Sequence, residues 1–237
     1  MTLSCHDIFP TGLKSGFPPL EVEIRGWENE GGRAAEAGAS PAGKGGPTAD
    51  ARARLLPHVI VYDTEIKTDP TQHPGGFEAA KRGECGISCV VLYDNEDGRF
   101  HTYDEHDLEE CMAHMNTADV LVSFNGLEFD TPLLQSVTGE DIWPQQYDIL
   151  HEIWKALGTR VKGYKLGDVC GRLGLGAKIA DGHRATELYA EGRFGKLFNY
   201  CINDVHITRM LARFIQKYGH VLTPDGEILP LPKIEEA

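Results

Sequence analysis

Residues 58–66 read HVIVYDTEI. Val59, Ile60 and Val61 are β-branched and apolar, the composition of a buried strand. Asp63 and Glu65 follow, separated by one residue. Side chains alternate faces along a strand, so the two acids point the same way. Two carboxylates side by side at the end of a core strand repel each other. Taken alone, a D-x-E is weak evidence, because most such pairs are solvated strand ends. What offsets the repulsion here has to come from elsewhere in the chain.

Outward from this strand the order of elements is informative. CGISCVVLYD (85–94) reads as a second apolar strand and GRFHTYDE (98–105) as a third, with DNEDG between them as a turn. DLEECMAHMNTA (107–118) has apolar residues at three- and four-residue spacing and predicts a helix. DVLVSF (119–124) predicts a fourth strand. FDTPLLQSV (129–137) starts a helix, with Pro132 tolerated in its first turn. YDILHEIWKAL (147–157), KLGDVCGRLG (165–174), ATELYAEG (185–192) and the long FGKLFNYCINDVHITRMLARFIQKY (194–218) are helical in pattern. A meander of strands, then alternating strand and helix, then helices, predicts an α/β fold. The expectation from the pattern is a mixed sheet covered by α-helices, with residues 58–65 at its centre.

The folded domain is placed at residues 55–218. Residues 1–54 precede it as a mixed segment and a Gly/Ala/Pro-rich linker (30–54), expected to be flexible. Residues 219–237 carry Pro and Gly punctuation and are expected to lie along the surface or fray. The 237 residues, 41% hydrophobic and 25% charged, suit a globular protein with one good-sized core. No apolar run is long enough to span a membrane, and the N-terminus lacks the pattern of a secretory signal. The 6 cysteines contain no C-x-x-C pair, so reduced thiols and a cytoplasmic location are expected. A net charge of −13 argues against coating nucleic acid by bulk attraction. It leaves room for an enzyme that grips nucleic acid locally.

Two further acidic positions bear on residues 58–66. Asp130 stands where a helix begins, the usual place of a cap. Tyr200 and Asp204 are four apart on the last helix and share a face, as many surface pairs do. Each is weak alone. Together, Asp63, Glu65, Asp130 and Asp204 come from a strand, a helix start and a late helix, and their convergence would need cations. Acid-rich oxygen pockets suit Mg²⁺ or Mn²⁺, and two such ions support phosphodiester cleavage.

The motifs YDTEI, FNGLEFDTPLL and YCINDV, in this order, resemble those of DEDD-type 3′→5′ exonucleases with the ribonuclease H-like fold. The tyrosine of the third motif marks the DEDDy branch, and the likeness runs from about Val59 to Met210. That fold implies a central mixed five-stranded sheet, an antiparallel meander then parallel strands, flanked by α-helices. The resemblance implies a two-metal site using Mg²⁺, with Mn²⁺ able to substitute. Asp63 would bridge both ions, and Glu65 would bind one and help place the attacking water. Asp130 would act through the second ion, and Asp204 would complete the first site. Tyr200 would orient the water. Thr64, Asn125 and Phe129 lie in the matched motifs as candidate substrate contacts, Phe129 packing beneath the site or touching the terminal sugar. Gly167 departs from relatives that often carry an acid there.

Between Thr159 and Arg184 the charges turn basic, with Arg160, Lys162, Lys165, Arg172, Lys178 and Arg184. The stretch reads either as a phosphate-contacting rim or as an ordinary solvated helix pair. Lys165 is a candidate contact, and Tyr164 either stacks on a base or packs half-buried. Cys111 and His114 have no partner pair at zinc spacing, so zinc is not expected. His151, His183 and His206 could approach the acids, whereas Cys201 is expected to point elsewhere, into the core. The expected function is a metal-dependent exonuclease acting on single-stranded 3′ ends, DNA favoured over RNA, releasing nucleoside 5′-monophosphates. A polymerase or helicase partner is compatible with it. The alternatives are an RNA 3′-end trimming ribonuclease and a catalytically quiet nucleic-acid-binding or scaffold module.

Overall fold

A computed structural model describes residues 57–176 and 183–234 and, ahead of them, a strand at Val22–Ile24 (β1). The linker expected over residues 30–54 lies outside the described residues. Residues 58–66 form β2 (Val59–Ile66), and β3 (Ile87–Asp94) and β4 (Arg99–Asp104) continue as an antiparallel meander. Between β2 and β3 the chain makes a short helix, α1 (Gly76–Lys81), which the sequence pattern did not signal. Then come α2 (Leu108–Met115), β5 (Val120–Ser123), α3 (Asp130–Thr138) and β6 (Gln145–Asp148). The chain continues through α4 (Ile149–Leu157), α5 (Leu166–Leu173), α6 (His183–Ala190) and α7 (Phe194–Tyr218). It closes with the hairpin β7 (His220–Leu222) and β8 (Ile228–Pro230).

The sheet order is β1-β4-β3-β2-β5-β6. β2 is interior, antiparallel to β3 and parallel to β5, and β5 is parallel to β6. The five strands from β2 to β6 make the expected mixed sheet. β1 adds a sixth, at the edge and parallel to β4, from within the N-terminal segment. The fifth strand starts earlier than the helix predicted over 147–157, since Tyr147 and Asp148 end β6 before α4 begins.

Both faces of the sheet are covered, which is why β3 is buried at every position and reads as apolar from Cys89 to Tyr93. Val61, Cys89 and Val91 face a core made with α4 to α7. Ile60, Tyr62, Val90 and Leu92 face a second core made with α2 and α3. Asp63 has the parity of Val61 and pairs with Val91, and Glu65 pairs with Cys89. The strand alternation therefore turns both acids toward α7. An irregularity in register falls between Glu65 and Ile66, where regular pairing with β3 is interrupted beside the acids.

The C-terminal segment departs from expectation. Residues 219–234 do not lie loosely on the surface: Val221, Leu229, Leu231 and Ile234 are buried in the same core as α7. The Tyr147 hydroxyl donates to the Pro232 carbonyl at 2.6 Å, and Ile234 N–H donates to Gln216 Oε1. The apolar residues between the prolines are what the punctuation pattern obscured.

At the start of β2, away from Asp63 and Glu65, Asp94 accepts from two histidines. His58 Nε2 is 2.8 Å from Asp94 Oδ1, and His114 Nε2 is 3.0 Å from Oδ2. Burial would raise the Asp94 carboxyl. The bonds from His114, His58 and the Glu96 N–H outweigh it and hold the carboxyl well below the usual range. His58 is raised, first by its bond to Asp94, against burial. A raised histidine stabilises the fold fully below its unfolded value and loses that contribution as pH climbs through the folded one. Stability is therefore expected to fall as pH rises above about 6.5, the ordinary histidine value. Asp94→Asn should flatten this dependence in urea unfolding series, and an equal slope in the variant would remove the network as its source.

Candidate active site

Asp63 and Glu65 project from β2 toward α7, and α7 meets them with Cys201. One ligand atom each from Asp63, Glu65 and Cys201 lie within 4.8 Å of one another. The Cys201 thiol donates to Asp63, 3.5 Å from its backbone oxygen and 3.6 Å from Oδ2. This corrects the expectation that Cys201 points elsewhere: it is buried, as expected, but it is buried against the acids. Burial pushes its thiol up, with Cys89, Asp63 and Glu65 adding to the shift. Spacing carries the signal, since Cys201 and Asp204 are three apart and share a helix face. Asp204 (2% exposed) and Tyr200 (3% exposed) are buried on this same helix.

Asp130 meets β2 at its backbone. Its Oδ1 accepts the Thr64 N–H at 3.1 Å, so it is bonded to the backbone between the two strand acids. It is the first residue of α3, but no side-chain cap occupies that helix start. Burial and the Asp148 charge raise its carboxyl, against the N–H bonds it accepts. Asp130 and Asp204 are not in the three-residue group with Asp63 and Glu65.

Asp148 was not singled out by sequence, yet it holds the second motif in place. Buried at the end of β6, it caps α4 by accepting from Leu150 and His151 N–H. It also accepts from Asn125 N–H at 2.9 Å and Leu127 N–H at 3.0 Å. The loop so anchored is tightly specified. Asn125 has φ 72°, the left-handed region where asparagine is among the better tolerated residues. A Cβ on Gly126 would lie 2.4 Å from Ser123 Oγ and 2.8 Å from the Tyr62 hydroxyl, so only glycine fits. Tyr62 in turn bonds Thr131 at 2.8 Å, tying β2 to the first turn of α3.

The remaining candidates fall into two groups. Asn125 and Phe129 flank this loop, and Phe129 sits half-buried with its ring 6.2 Å from the exposed Phe77. Tyr164 is 5% exposed, in the core beneath Arg172, so packing rather than base stacking is the role its position allows. Lys165 is exposed. Much of the basic stretch is engaged within the fold. Arg160 pairs with Glu128, Arg184 with Glu187, and Arg172 donates to the Leu222 and Gly163 carbonyls. Lys178 lies outside the described residues. His183 bonds Asp69 at 2.8 Å, joining α6 to the loop after β2. His206 packs near Phe100, and burial, then the Arg209 charge, lowers it to about 4.

A mixed sheet with an acid-bearing interior strand and helices on both faces agrees with the ribonuclease H-like class of α/β proteins, and the family match assigns it. The chain belongs to the RNase H superfamily, whose model RNase_H_2 matches residues 76–215. That match spans Asp130, Tyr200 and Asp204 and begins after Asp63 and Glu65. Among solved structures the chain is similar to the family B DNA polymerase from the hyperthermophilic archaeon Pyrobaculum calidifontis, with TM-score 0.54 and 17% identity. The likeness covers 68% of this chain and 24% of that polymerase, and at this identity it speaks for the fold alone. No curated protein matches the sequence. Among the described residues no helix is long and apolar enough to cross a membrane.

Proposed function

We propose that the chain is a 3′→5′ exonuclease acting on single-stranded nucleic acid, DNA in preference to RNA, and releasing nucleoside 5′-monophosphates. The observation that carries this reading is the meeting of β2 and α7 at Asp63, Glu65 and Cys201. It brings the first and third motifs together, while the Thr64–Asp130 bond ties in the second.

The donor set fits divalent metal. Clustered oxygens from Asp63 and Glu65 suit a hard cation, and Asp204 on the facing helix and Asp130 beside Thr64 would complete the holding groups. Bound Mg²⁺ or Mn²⁺ would activate water and stabilise the leaving oxygen. The protein's own part is placement. Asp63 and Glu65 sit on an interior strand, whose paired backbone fixes their direction. The Tyr200 hydroxyl would orient the attacking water, since a tyrosine hydroxyl can both donate to it and accept from it. Asn125 and Phe129, on the loop held by Asp148, would contact the terminal nucleotide. A polymerase or helicase partner is compatible with this activity.

Purified protein incubated with 5′-labelled single-stranded DNA or RNA and Mg²⁺ should yield a ladder shortening from the 3′ end, abolished by chelator. Tyr200→Phe should slow it about 10- to 100-fold, the scale of an orienting partner, with metal-induced stabilisation retained. Cleavage of neither polymer, with binding intact, would favour the scaffold reading. An unchanged Tyr200→Phe rate would remove that hydroxyl from the mechanism.

A further inference from the structure

Cys201 brings sulfur to a place where the nuclease reading needs only oxygen. Its side chain is fully buried, 3.6 Å from Asp63 Oδ2, and the Glu65 carboxylate closes a triangle with no side above 4.8 Å. As described, the thiol donates to Asp63. The same separation suits a shared ion. Around a tetrahedral centre with bonds of about 2.3 Å to sulfur and 2.1 Å to carboxylate, the sulfur and oxygen stand about 3.6 Å apart. An ion can therefore replace the thiol proton, which leaves to solvent, without moving α7 away from β2. Mg²⁺ gains little from this, because it prefers oxygen and near-octahedral geometry. Zn²⁺ and Cd²⁺ gain a thiolate ligand.

We propose that Asp63, Glu65 and Cys201 form a binding site for thiophilic divalent ions of the Zn²⁺ and Cd²⁺ class, which compete with Mg²⁺ and silence hydrolysis. This rests on the reading of Asp63 and Glu65 as metal-facing acids. Silencing follows from the same geometry, since a carboxylate turned toward sulfur to bind a tetrahedral ion is withdrawn from the octahedral set that Mg²⁺ requires. Cys89 is the rival ligand. It is buried and pairs with Glu65 across the β2–β3 ladder, and its thiol lies beside that of Cys201.

The test titrates the full chain with Cd²⁺ in the absence of nucleic acid and follows the thiolate-to-cadmium charge-transfer absorption in the ultraviolet. The band should saturate at one ion per chain, vanish in Cys201→Ser and persist in Cys89→Ser. Asp63→Asn should weaken binding by more than about 10-fold, since even outer partners of a metal site contribute on that scale. Zn²⁺ should displace Cd²⁺. Cys201→Ser should also raise the Zn²⁺ concentration that halves Mg²⁺-dependent hydrolysis, relative to its own uninhibited rate. Thermal melting checks that the serine variant folds, and Cys201→Ala replaces it where a buried hydroxyl is not tolerated. No band in the unsubstituted chain, an equal band in Cys201→Ser, or loss only in Cys89→Ser overturns the proposal. A band without hydrolysis under Mg²⁺ upholds the ion site and sinks the exonuclease reading. Hydrolysis without a band does the reverse.

Discussion

Asp63→Asn is expected to remove metal-dependent hydrolysis and leave the fold standing. Neutralising one acid weakens the hold on metal, which contributes several kcal/mol to such reactions. At tenfold per about 1.4 kcal/mol, the rate should drop by about 10³-fold. The stability response should run the other way. Asp63 and Glu65 offer oxygens within 4.8 Å of each other, and like charges so placed repel. Asparagine keeps the shape and relieves that repulsion, so the metal-free variant should melt no lower than the unsubstituted protein. Saturating Mg²⁺ should raise the melting temperature of the unsubstituted chain, because a ligand at about 100 times its Kd adds about 2.7 kcal/mol. The variant should lose most of that increment. The checks are a single-turnover nuclease assay and calorimetry with and without Mg²⁺. A variant that cleaves normally would sink the assignment of Asp63.

Asp148→Ala is expected to give the largest loss of stability. Its Oδ1 accepts three backbone N–H groups, from Asn125, Leu150 and His151, and Oδ2 accepts that of Leu127. Alanine leaves all four donors without this acceptor. A buried orphan donor costs about 1–3 kcal/mol, and with relaxation at the loop the total should be about 3–5 kcal/mol. For a chain of this size that corresponds to a fall of about 10 °C in melting temperature. Asp148→Asn should lose less. Its remaining oxygen can take the three bonds at Oδ1, while its amide faces the Leu127 N–H, donor against donor. Urea unfolding of the two variants measures the difference. A loss below about 1 kcal/mol in Asp148→Ala would mean that the loop is held by other contacts. Activity should fall with stability, because the anchored loop leads directly into Asp130.

Local pattern and tertiary context explain which parts were legible in advance. β2, β3 and β5 could be read because strands buried on both faces are written in Val, Ile and Leu. β6 could not. Its residues are Gln145, Gln146, Tyr147 and Asp148, and they become a strand only by pairing with Val120–Ser123 of β5. The acids of the candidate site were visible because three motifs occur in order. The spacing from Tyr200 to Asp204 marks one face of α7, and Cys201, three residues before Asp204, shares it although a buried cysteine reads as core. Asp148 was out of reach for a different reason. A cap preceding ILHE is a local signal, but its grip on Asn125 and Leu127 crosses 23 and 21 residues, and no periodicity records that. Tyr164 and the arginines illustrate the converse. Their types suit nucleic acid, yet burial and internal pairing use most of them within the fold.

The bond from Tyr147 to Pro232 has a practical consequence for handling the protein. Pro232 fastens the edge strand whose last residue is Asp148, so the far end of the chain and the loop before Asp130 are mechanically in series. Shortening the chain after Tyr218 would strip that fastening and take Val221, Leu229 and Leu231 out of the core they share with α7. A purification tag is therefore better carried ahead of β1 than fused close behind residue 234. Excision of residues 55–218 as a minimal unit would cut the molecule through its own core.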